Sequence, residues 1–164
     1  MMDFIDTQIG SVQRIVTELR PPVLDDLGLL AALEWQAQDF ERRTGVRCTF
    51  SAAHRDLPLD SDQASMIFRI CQEALTNVVR HAHATDVDVS LEVRDGTLRL
   101  QVKDNGRGLP EEKLLAPQSL GLLGMRERAE LFGGHVSIVG HPNLGTTVTM
   151  ALPYGEPQEP ESES

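Results

Sequence analysis

Two runs of alternating residues constrain this chain more than anything else in it. Val87, Val89, Leu91 and Val93 are separated by polar residues, Leu98, Leu100 and Val102 repeat the pattern, and Asp95-Gly96 stands between the runs. A period of two is that of a strand with one buried face, and Asp-Gly accepts the positive φ angles of a two-residue hairpin turn. The pair therefore reads as an antiparallel hairpin whose second strand leads straight into Asp104. That strand needs a sheet around it and a layer to cover its apolar face.

The flanking sequence supplies both. Apolar residues at Ile67, Phe68, Cys71, Leu75, Val78 and Val79 fall on one side of a helix spanning about Ser61 to Ala82, taking about 100° per residue. Glu73, Asn77 and His81 stand on its other side, each four residues from the next. A solvated polar face explains such a row on most helices, but short-reach Glu and Asn also suit the wall of a pocket. Upstream, Asp25 or Asp26 can cap a helix that buries Leu30, Leu33, Ala37 and Phe40 and stops at Gly45. Val46, Cys48 and Phe50 then alternate as a short strand. Downstream, the stretch from Leu109 to Leu120 lacks a period, contains Pro110 and Pro117, and reads as a mobile loop. A helix from about Met125 to Phe132 ends at Gly133-Gly134, and strands over Val136–Val139 and Thr146–Leu152 close the domain.

The two ends of the chain differ from this middle. Ile5, Ile9, Val12, Val16 and Leu19 form a narrow 4-3-4-3 stripe that needs a partner helix, either its own domain or a bundle. Pro21 and Pro22 end it. From Tyr154 onward proline, glutamate and serine dominate, as in a disordered tail. The net charge of -10, about -6 without the four tail glutamates, argues against nonspecific nucleic-acid binding. No apolar run approaches the roughly 18 residues of a membrane span, and no cleavable signal pattern follows Met1-Met2. Cys48 and Cys71 lack framework spacing and read as reduced core residues of a cytoplasmic protein, with a disulfide as the lesser alternative.

Four short motifs carry chemistry. Asp104, at a strand end, offers a carboxylate that can accept a hydrogen bond from an exocyclic amine such as adenine's, while Gly106 and Gly108 let a ring approach the backbone. Asn77 offers a neutral amide oxygen suited to Mg²⁺, an ion that keeps most of its waters and takes other ligands from phosphates. Glu73 can orient a metal-bound water or an acceptor group. Gly121-Leu122-Leu123-Gly124 can free backbone amides at the start of the following helix, where the dipole favours phosphate; a plain flexible connector is the alternative. Thr146 can give a hydroxyl to a nucleotide or simply start a strand. Arg80 and His81 can touch phosphate. His81 and His83 point about 200° apart on a helix, so a metal pair is disfavoured. Neither a dinucleotide fingerprint nor a Gly-Lys-Ser phosphate loop is present, since Glu111 occupies the place of the third glycine.

In this order, Glu73-x-x-x-Asn77, Asp104-x-Gly106-x-Gly108, Gly121-x-x-Gly124 and Gly145-Thr146 resemble the N box and the three glycine boxes of the GHKL ATPase superfamily. The wording from Glu73 to Ala82, from Asp104 to Gly108 and from Gly124 to Arg128 is similar to bacterial sensor histidine kinases of the NarX-like and DesK-like class. The Leu19–Leu29 segment is similar to that class's linker between dimerisation helix and catalytic domain. The resemblance implies a two-layer α/β sandwich, a mixed and mostly antiparallel sheet with helices on one face. It implies ATP and Mg²⁺ as cofactors, with Glu73 and Asn77 catalytic, Asn77 on the metal, and Arg80, His81, Asp104, Gly106, Gly108, Gly121, Leu122, Gly124, Met125 and Thr146 around the nucleotide.

The domains expected on that basis are residues 1–20 as the end of a dimerisation helix, 21–153 as the catalytic domain and 154–164 as the acidic tail. The family's phosphoacceptor histidine lies on an upstream helix before an acidic residue, and none of His54, His81, His83, His135 and His141 has that context. The resemblance thus implies transfer of the γ-phosphoryl group to a histidine outside this chain, with a response regulator as the next partner and a homodimeric parent protein, with or without a membrane anchor. An anti-sigma-factor-type serine kinase and a nucleotide-gated interaction module of the same superfamily are the competing readings.

Overall fold

The computed structural model of this protein describes residues 21–108 and 120–155. The Ile5–Leu19 stripe, the expected loop over 109–119 and the tail beyond 155 lie outside the described residues. The chain builds helix α1 (Pro22–Thr44), strand β1 (Arg47–Ala52), helix α2 (Ser61–Asn77) with a last π-helical turn (Val78–Ala82), and the hairpin β2 (Asp86–Arg94) and β3 (Thr97–Asp104). Helix α3 (Leu120–Glu130) and the antiparallel pair β4 (His135–His141) and β5 (Gly145–Pro153) complete it.

The strands form one sheet in the order β1-β2-β3-β5-β4, with β1 parallel to β2 and every other pairing antiparallel. This is the mixed, mostly antiparallel α/β sandwich that the resemblance implies. The hairpin turn has φ of 50° at Asp95 and 69° at Gly96, both positive as a primed turn requires. Register then stacks one face: Val89 opposes Val102, Val102 opposes Val148, and Val148 opposes Ile138. Those rows are buried, as are Leu91, Leu100 and Met150 in the next row. The intervening Asp88, Arg99 and Lys103 are exposed. Helix α1 packs on β1 and α2, α2 on β3 and α3, and α3 on β4 and β5, so one apolar cluster joins all of them. Cys48 and Cys71 are free and buried within it.

Three helix expectations need correction. Helix α1 starts at Pro22, where proline's missing amide is no loss, so neither Asp25 nor Asp26 is its N-cap. It also breaks at Gly28 (φ 85°, ψ 178°), a conformation that only glycine adopts without strain. Beyond the break, Leu29, Ala32, Leu33, Gln36, Ala37 and Phe40 are buried while Leu30 is only half-buried. Helix α2 starts as expected, held by a reciprocal Asp60–Gln63 capping box. In its π-helical end Val78 and Ala82 are buried, while Val79 is 58% exposed instead of joining the apolar face. Helix α3 begins at Leu120, five residues before Met125, which places Gly121 and Gly124 inside it. No helix among the described residues is long and apolar enough to cross a membrane.

Candidate functional site

The apolar rows of β3 and β5 end in polar residues at the same edge of the sheet. Strand parity carries the row Leu98, Leu100, Val102 on to Asp104, and the row Leu152, Met150, Val148 on to Thr146. Asp104 is only 5% exposed, a position that costs several kcal/mol for an unpartnered carboxylate. Its Oδ1 accepts from the Gly106 amide at 2.9 Å and the Thr146 amide at 3.3 Å, which offsets part of that cost. Gly145, with φ of 95°, lies so close to the Asp104 carbonyl that no Cβ would fit there. The acid is therefore fixed in a backbone cradle at the mouth of the core.

Above that edge the last turns of α2 leave an open cleft of about 390 Å³. Asn77, His81, Asp104 and Thr146 supply its polar lining, and Gly108 its backbone. Ala74, Val78, Ala82, Val102, Leu122, Ile138 and Val148 supply an apolar lining, of which the motifs had singled out Leu122 alone. Strand parity would have found Val102, Ile138 and Val148, because they share the inner face with Asp104. Among the described residues no cluster of three or more His, Cys, Asp or Glu side chains is placed to hold a metal ion. A cation here would depend on one or two side chains and on its ligand, which is the chemistry of Mg²⁺ with a polyphosphate.

Of the residues singled out from sequence, the cleft brings together Asn77, His81, Asp104, Gly108, Leu122 and Thr146. Glu73, half-buried one turn before Asn77, does not line it; its Oε1 lies against Gly121, in the space a Cβ there would take. Gly124 does not line it either, and Met125 is fully buried in the core under α3. Arg80 is exposed and outside the lining. Gly106 and Gly108 serve a different approach from the one expected: a Cβ on Gly106 would overlap the Ala82 carbonyl, and one on Gly108 the His141 carbonyl. They bring the protein's own backbone segments together and so shape the cleft from behind.

The side chains beside those glycines were missed as well. Asn105 Oδ1 accepts from the Thr85 and Asp86 amides, both at 3.0 Å, and its Nδ2 donates to Thr85 Oγ1 at 2.9 Å and Asp86 Oδ2 at 3.3 Å. The Arg107 amide donates to the Ala82 carbonyl at 2.8 Å, and Arg107 Nε donates to the His81 carbonyl at 2.6 Å. Residues 105 and 107 thus clamp the exit of α2, a function that Asp-Asn-Gly read as a turn does not reveal.

Residues 62–156 match the family described as histidine kinase-, DNA gyrase B-, and HSP90-like ATPase. Across 88% of its length the chain is 36% identical to the oxygen sensor histidine kinase NreB of Staphylococcus carnosus, covering 42% of that protein. It is 34% identical over 91% of its length to the histidine-protein kinase/phosphatase DegS of Brevibacillus brevis, covering 38% of it. The chain thus spans less than half the length of the curated relatives it matches. The solved histidine kinase domain of a blue-light activated kinase from Erythrobacter litoralis superposes with a TM-score of 0.64 at 27% identity, over 76% of this chain and 60% of that one.

Proposed function

Because the chain belongs to the histidine kinase-, DNA gyrase B-, and HSP90-like ATPase family, we propose that it is the ATP-binding catalytic part of a two-component sensor kinase that phosphorylates a histidine on an upstream dimerisation helix. One observation carries the reading of the site: a buried acid, Asp104, stands in an apolar cleft that also holds Asn77 and Thr146. A purine offers flat apolar faces to Val78, Ile138 and Val148 and an exocyclic amine to the Asp104 carboxylate. Both described hydrogen bonds to that carboxylate fall on Oδ1, so Oδ2 is the oxygen assigned to the amine. Thr146 borders the ring, and the phosphates run toward Asn77 and His81.

The donor set fits Mg²⁺, with the Asn77 amide oxygen as the protein's ligand and phosphate oxygens and water as the others. When bound, the ion neutralises phosphate charge. Phosphoryl transfer depends mainly on positioning and electrostatics, and the residues here supply both. The acceptor imidazole attacks the γ-phosphorus, the bond to the bridging oxygen breaks, and ADP leaves. Glu73, on the helix face next to Asn77, is assigned the orientation of the incoming imidazole. A response regulator then takes the phosphoryl group, and the whole protein is a homodimer whose catalytic part faces the cytoplasm.

The test is to incubate a longer form carrying the upstream helices with γ-labelled ATP and Mg²⁺. Acid-labile, base-stable label on the upstream segment is the expected result. Label that survives acid would point to the serine kinase reading, and nucleotide binding without any label to the interaction module.

A further inference from the structure

We propose that Arg107 is a positioning residue that pins the last turn of α2 and so holds His81 at the cleft. The proposal rests on the nucleotide reading of that cleft. A π-helical turn is uncommon in isolation, and its final carbonyls lack helical partners. Here the turn over Val78–Ala82 ends at His83 with a left-handed φ of 49°, so no further helical amide reaches them. Arg107 fills that gap twice, with its amide on the Ala82 carbonyl at 2.8 Å and its Nε on the His81 carbonyl at 2.6 Å. A guanidinium against helix-end carbonyls is also the favourable sign for the dipole. The Arg107 carbonyl in turn accepts from the Asn143 amide at 2.8 Å, so one residue ties the α2 wall to the β4–β5 turn across the cleft.

Counted as an uninterrupted α-helix, Val79 follows Leu75 by four residues and belongs on the apolar face, yet in the structure it is 58% exposed. His81, by contrast, lines the cleft. His81 follows Asn77 by four residues, so the two share one face of the helix, and the bond to the His81 carbonyl fixes the end of that face.

Arg107→Met keeps the apolar stem and removes the donors, while Arg107→Lys keeps a charged donor. MgATP affinity is expected to fall about threefold to tenfold in Arg107→Met, the range of one partly exposed charge-assisted hydrogen bond. Adenosine affinity, followed by NMR titration, is expected to stay within about twofold, because the base end of the cleft does not depend on this contact. Arg107→Lys is expected to recover most of the loss. In the wild type the Arg107 Nε–H resonance is expected to exchange with water more slowly than those of the other arginines.

Unchanged MgATP affinity in Arg107→Met would overturn the proposal. So would equal losses for MgATP and adenosine, failure of lysine to restore binding, or an Nε–H that exchanges as freely as the rest. Asp104→Asn, measured alongside, separates the two levels: adenosine binding unaffected by that change defeats the nucleotide reading itself, whatever Arg107 does.

Discussion

Asp104 occupies a position that strand parity would otherwise give to a core aliphatic side chain, and the protein retains it with two backbone amides. The price of such a site is backbone precision, visible at Gly145, where positive φ coincides with contact against the Asp104 carbonyl. Gly145→Ala is expected to lower stability by at least about 2 kcal/mol, read from the denaturant midpoint, because both strain and overlap must be relieved. The position of Asp104 was legible from alternation alone. The purpose of Gly106 and Gly108 was not, since a glycine says that something comes close without saying what. The two cysteines give a second residue-level test. Burial, with help from Glu41 and Asp88, pushes the Cys48 thiol up from 9.0 to about 11, and burial also raises Cys71. Below pH 9.0 the thiols are protonated folded and unfolded alike; between there and about 11 the unfolded Cys48 ionises first, so stability falls as pH rises. Urea midpoints should drop across that window more in the wild type than in a Cys48→Ala/Cys71→Ala double variant, and equal drops would contradict it.

Among the elements, the hairpin and α2 were legible because period and punctuation agree: alternation flanks Asp95-Gly96, and an apolar stripe follows Ser61. The start of α3 was hidden because two glycines in its first turns carry poor helix propensity. Tertiary packing overrides that, with Leu122, Met125 and Ala129 buried at helical spacing. The π-helical turn was hidden for a related reason, since its last carbonyls take their partners from Arg107, distant in sequence. Asn105 shows such a neighbour at work, joining the end of β3 to the start of β2 through four side-chain hydrogen bonds. Asn105→Ala is expected to cost about 2 kcal/mol in a denaturation series, less than the sum of four bonds because this residue is exposed. Gln36 predicts the opposite sign. It is buried in α1, and its Oε1 has no partner among the described residues. Gln36→Met should therefore stabilise by about 1 kcal/mol.

At the scale of the whole molecule, function depends on convergence: residues from α2, β3, α3 and β5, far apart in the chain, line one cleft. The order of the motifs showed that they belong together, but not that Arg80 and Met125 point elsewhere, because that depends on a helix phase set by packing. Asn77→Asp is expected to weaken nucleotide binding in the presence of Mg²⁺ while leaving binding without the ion nearly unchanged, a split that calorimetry with and without EDTA would reveal. The central claim, that this cleft grips adenine through Asp104, is tested most directly by titrating ATP into the wild type and Asp104→Asn, with folding matched by circular dichroism. The account predicts an affinity loss of about tenfold or more, the scale of a hydrogen bond to a buried charge. Equal affinity of the two proteins would contradict it.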